Sequence, residues 1–330
     1  MSSKRIPNSM VLILAKGTSL YLMDYVLIVI LFYLSYVSGC LTLVESIGVN
    51  TTIQMEEKHT TSWRLNTFQF SERDQIRNGN GDHVSHYAMW HTDFGEFYGI
   101  QADISIWGSP SQGPSQQSGA ALQINCLESG HYKTFVAGFQ VAHALYNNND
   151  VRLFTYWTTT DGATSMGCYD LRCPGYVPAS GASLLPGQAV APPSTYGKEG
   201  RQVTLSLNKD PSSGDWVLYR HYQSHTPSFL GHFPGNLCSS TPRTLAWLGF
   251  VSYPVNTQGP PMGSGHFPED DKTKSGFFTN INLHDSQGHD VEPVWIPLVD
   301  MPDCYNETDV FNREGEGFMF YYGGPSGCIG

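Results

Sequence analysis

From residue 97 to residue 285 the chain repeats one pattern. Runs of seven to eleven residues rich in β-branched and aromatic side chains are separated by clusters of Gly, Pro, Ser and Asn. The runs are FYGIQADISIW (97–107), ALQINCL (121–127), TFVAGFQVA (134–142), RLFTYWTTT (152–160), QVTLSLNK (202–209), WVLYRHY (216–222), TLAWLGFVSY (244–253) and SGFFTNINLHD (275–285). Each is the length of a strand and too short for a helix of ordinary size. In QVTLSLNK the alternation is plain, with Val203, Leu205 and Leu207 on one face. Past the N-terminal leader no window shows a long amphipathic helical period. Many short strands with turns between them require an all-β domain, a sandwich or a related closed sheet. SPSQGPSQQSG (109–119) and PASGASLLPGQAVAPPSTYG (178–197) read as long surface loops.

The N-terminus bears on compartment. Lys4, Arg5 and Lys16 precede the apolar run YVLIVILFYLSYV (25–37), and Ser38-Gly39-Cys40 supply small residues where cleavage is expected. Residues 1–40 therefore read as a signal peptide, with an uncleaved signal anchor as the alternative. Residues 41–85 are polar, aperiodic and end in RNGNGDH (77–83), a short lead-in to a domain expected over 86–330. The expected address is extracellular. Acceptor sequons at Asn50-Thr51-Thr52 and Asn306-Glu307-Thr308 agree with it. Membrane attachment is expected only if the apolar run stays uncleaved. The formal charge of −11 argues against phosphate-driven nucleic-acid binding. Protonating all 12 histidines would bring it to +1, so the surface changes character in acid.

GCYDLRC (167–173) is a metal knuckle, a redox pair or a stapled turn. No CxxC or His/Cys partner set accompanies it, and four residues separate its cysteines rather than the two of a redox motif. In a secreted chain the stapled turn is the expectation. His221 and His225 in HYQSH are spaced i, i+4 on one expected strand face, a surface or loop pair rather than a metal site. No metal or cofactor is expected, and no GxSxG, HExxH or Walker loop is present.

RLFTYWTTTDGATSMGCYDLRCPGYV (152–177) resembles the signature of the neprosin family, plant secreted proteins. LNKDPSSGDWVL (207–218), GHFPGNL (231–237), MGSGHFPED (262–270), FFTNINL (277–283) and FYYGGPSGC (320–328) continue the resemblance in order. It implies a curved antiparallel β-sandwich and disulfides Cys168–Cys173 and Cys304–Cys328. Cys126 and Cys238 are left over. Cys238 falls where family members tend to carry an aromatic residue, so both are expected to be mostly unpaired, with Cys238 a buried thiol. The resemblance also implies glutamic peptidase chemistry beside proline, in which one carboxylate activates water and a second, protonated, donates to the scissile amide. The family's first glutamate precedes an Ala-Gly-Trp-Gln-Val strand, and its second lies in a Glu-Trp-Gly-Gly segment. Here Val136 and Ala246 occupy those positions. The expectation is a catalytically inactive homologue whose binding groove takes a peptide or glycan. Gln140, Trp157 and Trp247 are its groove candidates. One alternative is an active acid peptidase using displaced carboxylates, Glu128 or the Glu269-Asp270-Asp271 run. Another is a lectin-like carbohydrate binder presenting Trp90, Trp107 and Tyr156.

Overall fold

The computed structural model describes residues 83–330 apart from 129–130, 162–163, 223–224 and 241. The leader, the Asn50 sequon and the lead-in up to residue 82 lie outside the described residues. In chain order the elements are β1 (His83–Thr92), β2 (Gly99–Ser105), β3 (Gln117–Glu128), β4 (His131–Ala142), the single-turn helix α1 (His143–Tyr146), β5 (Arg152–Asp161), β6 (Thr164–Tyr169), β7 (Val177–Pro178), β8 (Gln202–Lys209), β9 (Trp216–Tyr222), β10 (His225–Phe233), β11 (Pro242–Pro254), β12 (Gly276–His284), β13 (Trp295–Val299), β14 (Asn306–Glu307), β15 (Phe311–Arg313) and β16 (Gly317–Gly323). Strand β1 begins at His83, three residues ahead of the expected domain start.

Two antiparallel sheets result, so the chain is all-β, as the alternating runs require. The seven-stranded sheet has the order β13-β1-β11-β3-β4-β5-β6. The nine-stranded sheet runs β14-β16-β12-β2-β8-β9-β10-β7, with β15 pairing β16 off that path. Alternation sorts each strand between the layers. Phe135, Ala137, Phe139 and Val141 of β4 and Leu245, Trp247 and Val251 of β11 join the core between the sheets. Leu205, Leu207, Leu218, Phe278 and Phe320 meet them from the other sheet. Two indoles tie the layers together. Trp90 Nε1–H donates to the Thr308 carbonyl at 3.0 Å, and Trp247 Nε1–H to the Gln101 carbonyl at 3.3 Å.

The opposite face of the seven-stranded sheet is also buried. Met89, Ala121, Val136, Phe154, Ala246, Leu248 and Phe250 are each at most 1% exposed, yet none belongs to the core between the sheets. This explains why TLAWLGFVSY and TFVAGFQVA are nearly continuous apolar runs: a strand covered on both faces loses polar alternation.

Three disulfides brace the sandwich. Cys168–Cys173 and Cys304–Cys328 each span 6.0 Å between Cα atoms, inside the usual window. Cys126 and Cys238, expected to be mostly unpaired, are bonded to each other with Cα atoms 6.1 Å apart. The reason is strand pairing at long range. Cys126 of β3 lies opposite Pro242 of β11, and a 3₁₀ turn at Gly235–Leu237 swings the preceding chain back over β3. Glu128 then holds that segment, accepting hydrogen bonds from Ser239 Oγ at 2.8 Å and the Ser240 amide at 2.7 Å. The disulfide fills the space expected for a buried side chain.

Candidate functional site

GCYDLRC is a stapled turn at the end of the β5–β6 hairpin. Cys168 pairs with Trp157 in register, and the chain turns at Asp170 with φ 54°, a left-handed conformation that aspartate tolerates better than most residues. Asp170 is bound to Thr155 twice. Its amide donates to the Thr155 carbonyl at 2.8 Å, and its Oδ1 accepts the Thr155 amide at 3.0 Å. Beyond Cys173, Gly175 lies so close to Trp157 that a Cβ there would sit 1.9 Å from the indole nitrogen. Only glycine fits under that ring.

The second oxygen of Asp170 accepts the Tyr146 hydroxyl at 2.8 Å, and that hydroxyl accepts Gln140 Nε2–H at 3.1 Å. The Arg152 and Arg172 guanidinium groups stand 5.2 and 6.0 Å from the centre of the Tyr146 ring. Burial pushes the Asp170 carboxyl up to about 6, against the pull of its hydrogen bonds and both arginines. Burial, followed by the neighbouring Asp170 charge, raises Tyr146 as well. Gln140 is 1% exposed, and its Oε1 has no hydrogen-bond partner.

Val136 and Ala246 do not stand on adjacent strands. Ala246 of β11 pairs with Gln123 of β3, and Gln123 pairs with Val136 of β4. The three form one line across the sheet, which continues through His91 on one side and through Tyr156 and Tyr169 on the other. Directly paired residues share a face, so this row points away from the inter-sheet core. At a strand spacing of about 4.8 Å, Val136 and Ala246 lie about 10 Å apart with Gln123 between them. Thr244, Asn125, Thr134 and Thr158 form the row on one side, and Met89, Leu248, Ala121, Gly138 and Phe154 the row on the other. None of these positions carries an acid.

Of the groove candidates, only Gln140 shares this face, four residues along β4 from Val136. Trp247 alternates with Ala246 and is fully buried in the core, 5.2 Å from Trp295 between ring centroids. Trp157 pairs with Phe135 and packs against the same core. The alternation of a strand thus separates both tryptophans from Gln140.

The displaced acids are engaged elsewhere. Glu128 shares the parity of Cys126 and Ile124, so it projects to the face opposite Gln123. Burial works to raise it, but hydrogen bonds from Lys133, Ser239 and Ser240 outweigh burial and hold it at about 2. Asp270 takes Arg313 of β15, a strand of the nine-stranded sheet, on both oxygens, at 2.5 and 2.7 Å. Asp271 accepts from Thr273, and Glu269 pairs with Lys274 at 3.4 Å.

His221 and His225 do not share a strand. His221 lies on β9 with its Nε2 2.7 Å from Ser206 Oγ, while His225 opens β10 opposite Tyr222. The hairpin between them replaces the single run that HYQSH suggests. Among the described residues no group of three or more metal-ligating side chains comes together. Of the aromatics considered for sugar stacking, Trp90 and Tyr156 are 8% and 2% exposed, and half-buried Trp107 donates to the Ser275 carbonyl at 3.2 Å. Buried rings offer no stacking platform.

One acid escapes sequence reasoning entirely. Glu307 of β14 pairs with Tyr322, and both its carboxyl oxygens are buried. Burial raises its pKa to about 10; the Leu298 amide gives only partial relief, and Asp309 adds repulsion. Between the unfolded value of 4.5 and the folded value the native state holds a proton that the unfolded chain releases, so stability falls as pH rises. At pH 7 the loss is about 3 kcal/mol, from 1.36 kcal/mol per pH unit. We expect Glu307→Gln to match the wild type in urea denaturation at pH 4. At pH 7 the variant is expected to be the more stable by that amount, and parallel curves at both pH values would exclude the effect.

The molecule is a disulfide-braced, two-sheet antiparallel sandwich with an acid-free row at the centre of one sheet. The sequence model of the family described as Neprosin matches residues 114–325, and the chain belongs to the neprosin family. Among solved structures it is similar to Scytalido-glutamic peptidase with a peptide-based transition state analog, at 12% identity and a TM-score of 0.36, covering 73% of this chain and 98% of that one. A second structure of that peptidase, with a transition state analog inhibitor, aligns at 13% identity and a TM-score of 0.37, with the same coverage. SCP-B, a member of the Eqolisin family of peptidases in complex with the tripeptide Ala-Ile-His, aligns at 11% identity and 0.34, again over 73% and 98%.

Proposed function

We propose that this neprosin-family protein is secreted and binds polypeptide without cutting it. The observation that carries the reading is the Ala246–Gln123–Val136 row. Both positions that the family resemblance assigns to glutamate hold side chains unable to carry a proton, and the flanking rows contain no acid. Positioned acid–base groups are worth typically about 10²–10⁴-fold each, so losing both removes the peptidase chemistry. Gln140 keeps a polar amide on the same face, buried and with its Oε1 unpartnered, so a polypeptide reaches it only by displacing what covers this face.

Secretion is supported by the three disulfides, which persist in oxidising compartments, and by the leader at residues 1–40. Among the described residues no helix is long and apolar enough to cross a membrane. Asn306 is half-exposed, with its carboxamide oxygen engaged by the Glu307 amide at 2.8 Å, and it is the proposed glycan acceptor within the domain.

The test is digestion of proline-containing peptides by the purified protein from pH 2 to 8, read by mass spectrometry. No cleavage is expected at any pH. Asp170 is the acid whose raised pKa most resembles a general acid, though both its oxygens are already engaged. Cleavage that disappears in Asp170→Asn, Glu128→Gln or Glu269→Gln would establish an active enzyme and overturn the reading.

A further inference from the structure

The chain Gln140–Tyr146–Asp170 has a direction. With Asp170 ionised, Tyr146 donates to Oδ2 and so must accept from Gln140 Nε2–H. This orientation leaves Gln140 Oε1 as the free end of the amide, buried and without a partner. When a proton is added, only one oxygen of Asp170 has room for it. Oδ1 faces the Thr155 amide, a donor, at 3.0 Å, and a proton there would set two donors against each other. The proton therefore goes to Oδ2, facing the Tyr146 oxygen. Tyr146 must then accept from Asp170 and turn its own hydrogen toward Gln140. Its new partner has to be an acceptor, so the Gln140 amide turns over and its NH₂ becomes the free end. The two ends of a carboxamide are nearly equal in size, so the exchange costs little packing.

We propose that Asp170 and Tyr146 set the hydrogen-bonding polarity of Gln140 on the outer face of the seven-stranded sheet: an acceptor when Asp170 is ionised, a donor when it is neutral. A polypeptide that displaced the covering of this buried face would meet a partner for its N–H groups at neutral pH and for its carbonyls in acid. The ligand class rests on the binding reading; the reversal itself does not. Asp170 and Tyr146 are positioning residues that act through Gln140. The other charged groups around them are Arg152 of β5 and Arg172 beyond β6, which face Tyr146, and Asp150, which pairs with Arg152 at 3.1 Å. Guanidinium groups are not deprotonated in proteins, so the change is argued from Asp170.

The experiment is NMR of the full-length protein without ligand from pH 4 to 8, following the Asp170 carboxyl carbon and the Gln140 side-chain NH₂. In the wild type both signals are expected to shift with a common midpoint near 6. The contact between the Gln140 NH₂ and the Tyr146 ring, present at neutral pH, should be lost in acid. In Tyr146→Phe, Asp170 still titrates while Gln140 no longer follows it. Asp170→Asn donates through its own amide, so Gln140 should hold the acid orientation at every pH. Gln140 signals that stay flat while Asp170 titrates would overturn the proposal, as would a transition that survives in Tyr146→Phe. Should Asp170→Asn fail to fold, the wild-type titration and Tyr146→Phe decide alone. Because no ligand is present, neither result depends on whether the protein binds or cuts peptides.

Discussion

Replacing Cys126 and Cys238 together with alanine is expected to lower the unfolding free energy by about 5 kcal/mol, the largest stability loss of any single cross-link in this chain. The two cysteines are 112 residues apart, against 24 for Cys304–Cys328 and 5 for Cys168–Cys173. In the chain-entropy description the penalty grows with the logarithm of the closed loop, giving about 5, 3 and 2 kcal/mol in that order. Packing pushes the same way, because both Cys126 and Cys238 are completely buried and truncating them leaves voids at the core. Glu128 softens the loss, since its bonds to Ser239 and Ser240 hold the same segment without the disulfide. Urea denaturation of the three paired variants at fixed pH gives the ranking. A loss for Cys126/Cys238 no larger than that for Cys168/Cys173 would mean that strand pairing alone carries this corner of the fold.

The ranking also shows what could be read from the chain beforehand and what could not. The strands that alternate, such as β8 with Val203, Leu205 and Leu207, were legible because one face meets the core and the other does not. Strand β1, HVSHYAMWHT, was not. It lies inside the seven-stranded sheet between β13 and β11, and seven consecutive residues from His86 to Thr92 are buried, so no periodicity survives. Strand β10 carries a proline and two register irregularities against β9, which break its pattern as well. Cys126–Cys238 depends on a pairing register between β3 and β11 that no local spacing reveals. Trp157 and Trp247 are different: the parity that sets Trp247 opposite Ala246 is visible in the run itself, and applying it separates the tryptophans from Gln140. Asp170 stood inside GCYDLRC, but its role depends on Tyr146, which reaches it from α1. Its own turn chemistry, a left-handed residue between two cysteines, was the available signal.

Restoring both acids should create activity. Val136→Glu with Ala246→Glu places carboxyls at the two ends of the Ala246–Gln123–Val136 row. Their Cβ atoms would be about 10 Å apart, two strand spacings, so extended side chains leaning over Gln123 bring the carboxyls close enough to couple. Coupling and burial both raise the pKa of at least one, which then keeps its proton while the other ionises, the division of labour that acid-pH peptide hydrolysis requires. Cleavage is therefore expected in acid and not at neutral pH, where both would be driven toward ionisation. Either substitution alone supplies a base without an acid or the reverse and forgoes about 10²–10⁴-fold, which should leave each single variant at background. The native side chains are 1% and 0% exposed, so each carboxyl enters at a cost of several kcal/mol. The double variant will be less stable than the wild type. Peptide digestion at pH 4, with circular dichroism to show that the sheets are intact, reads the outcome. A folded double variant that binds a proline peptide and leaves it whole would mean that this row is not the line along which the family cuts.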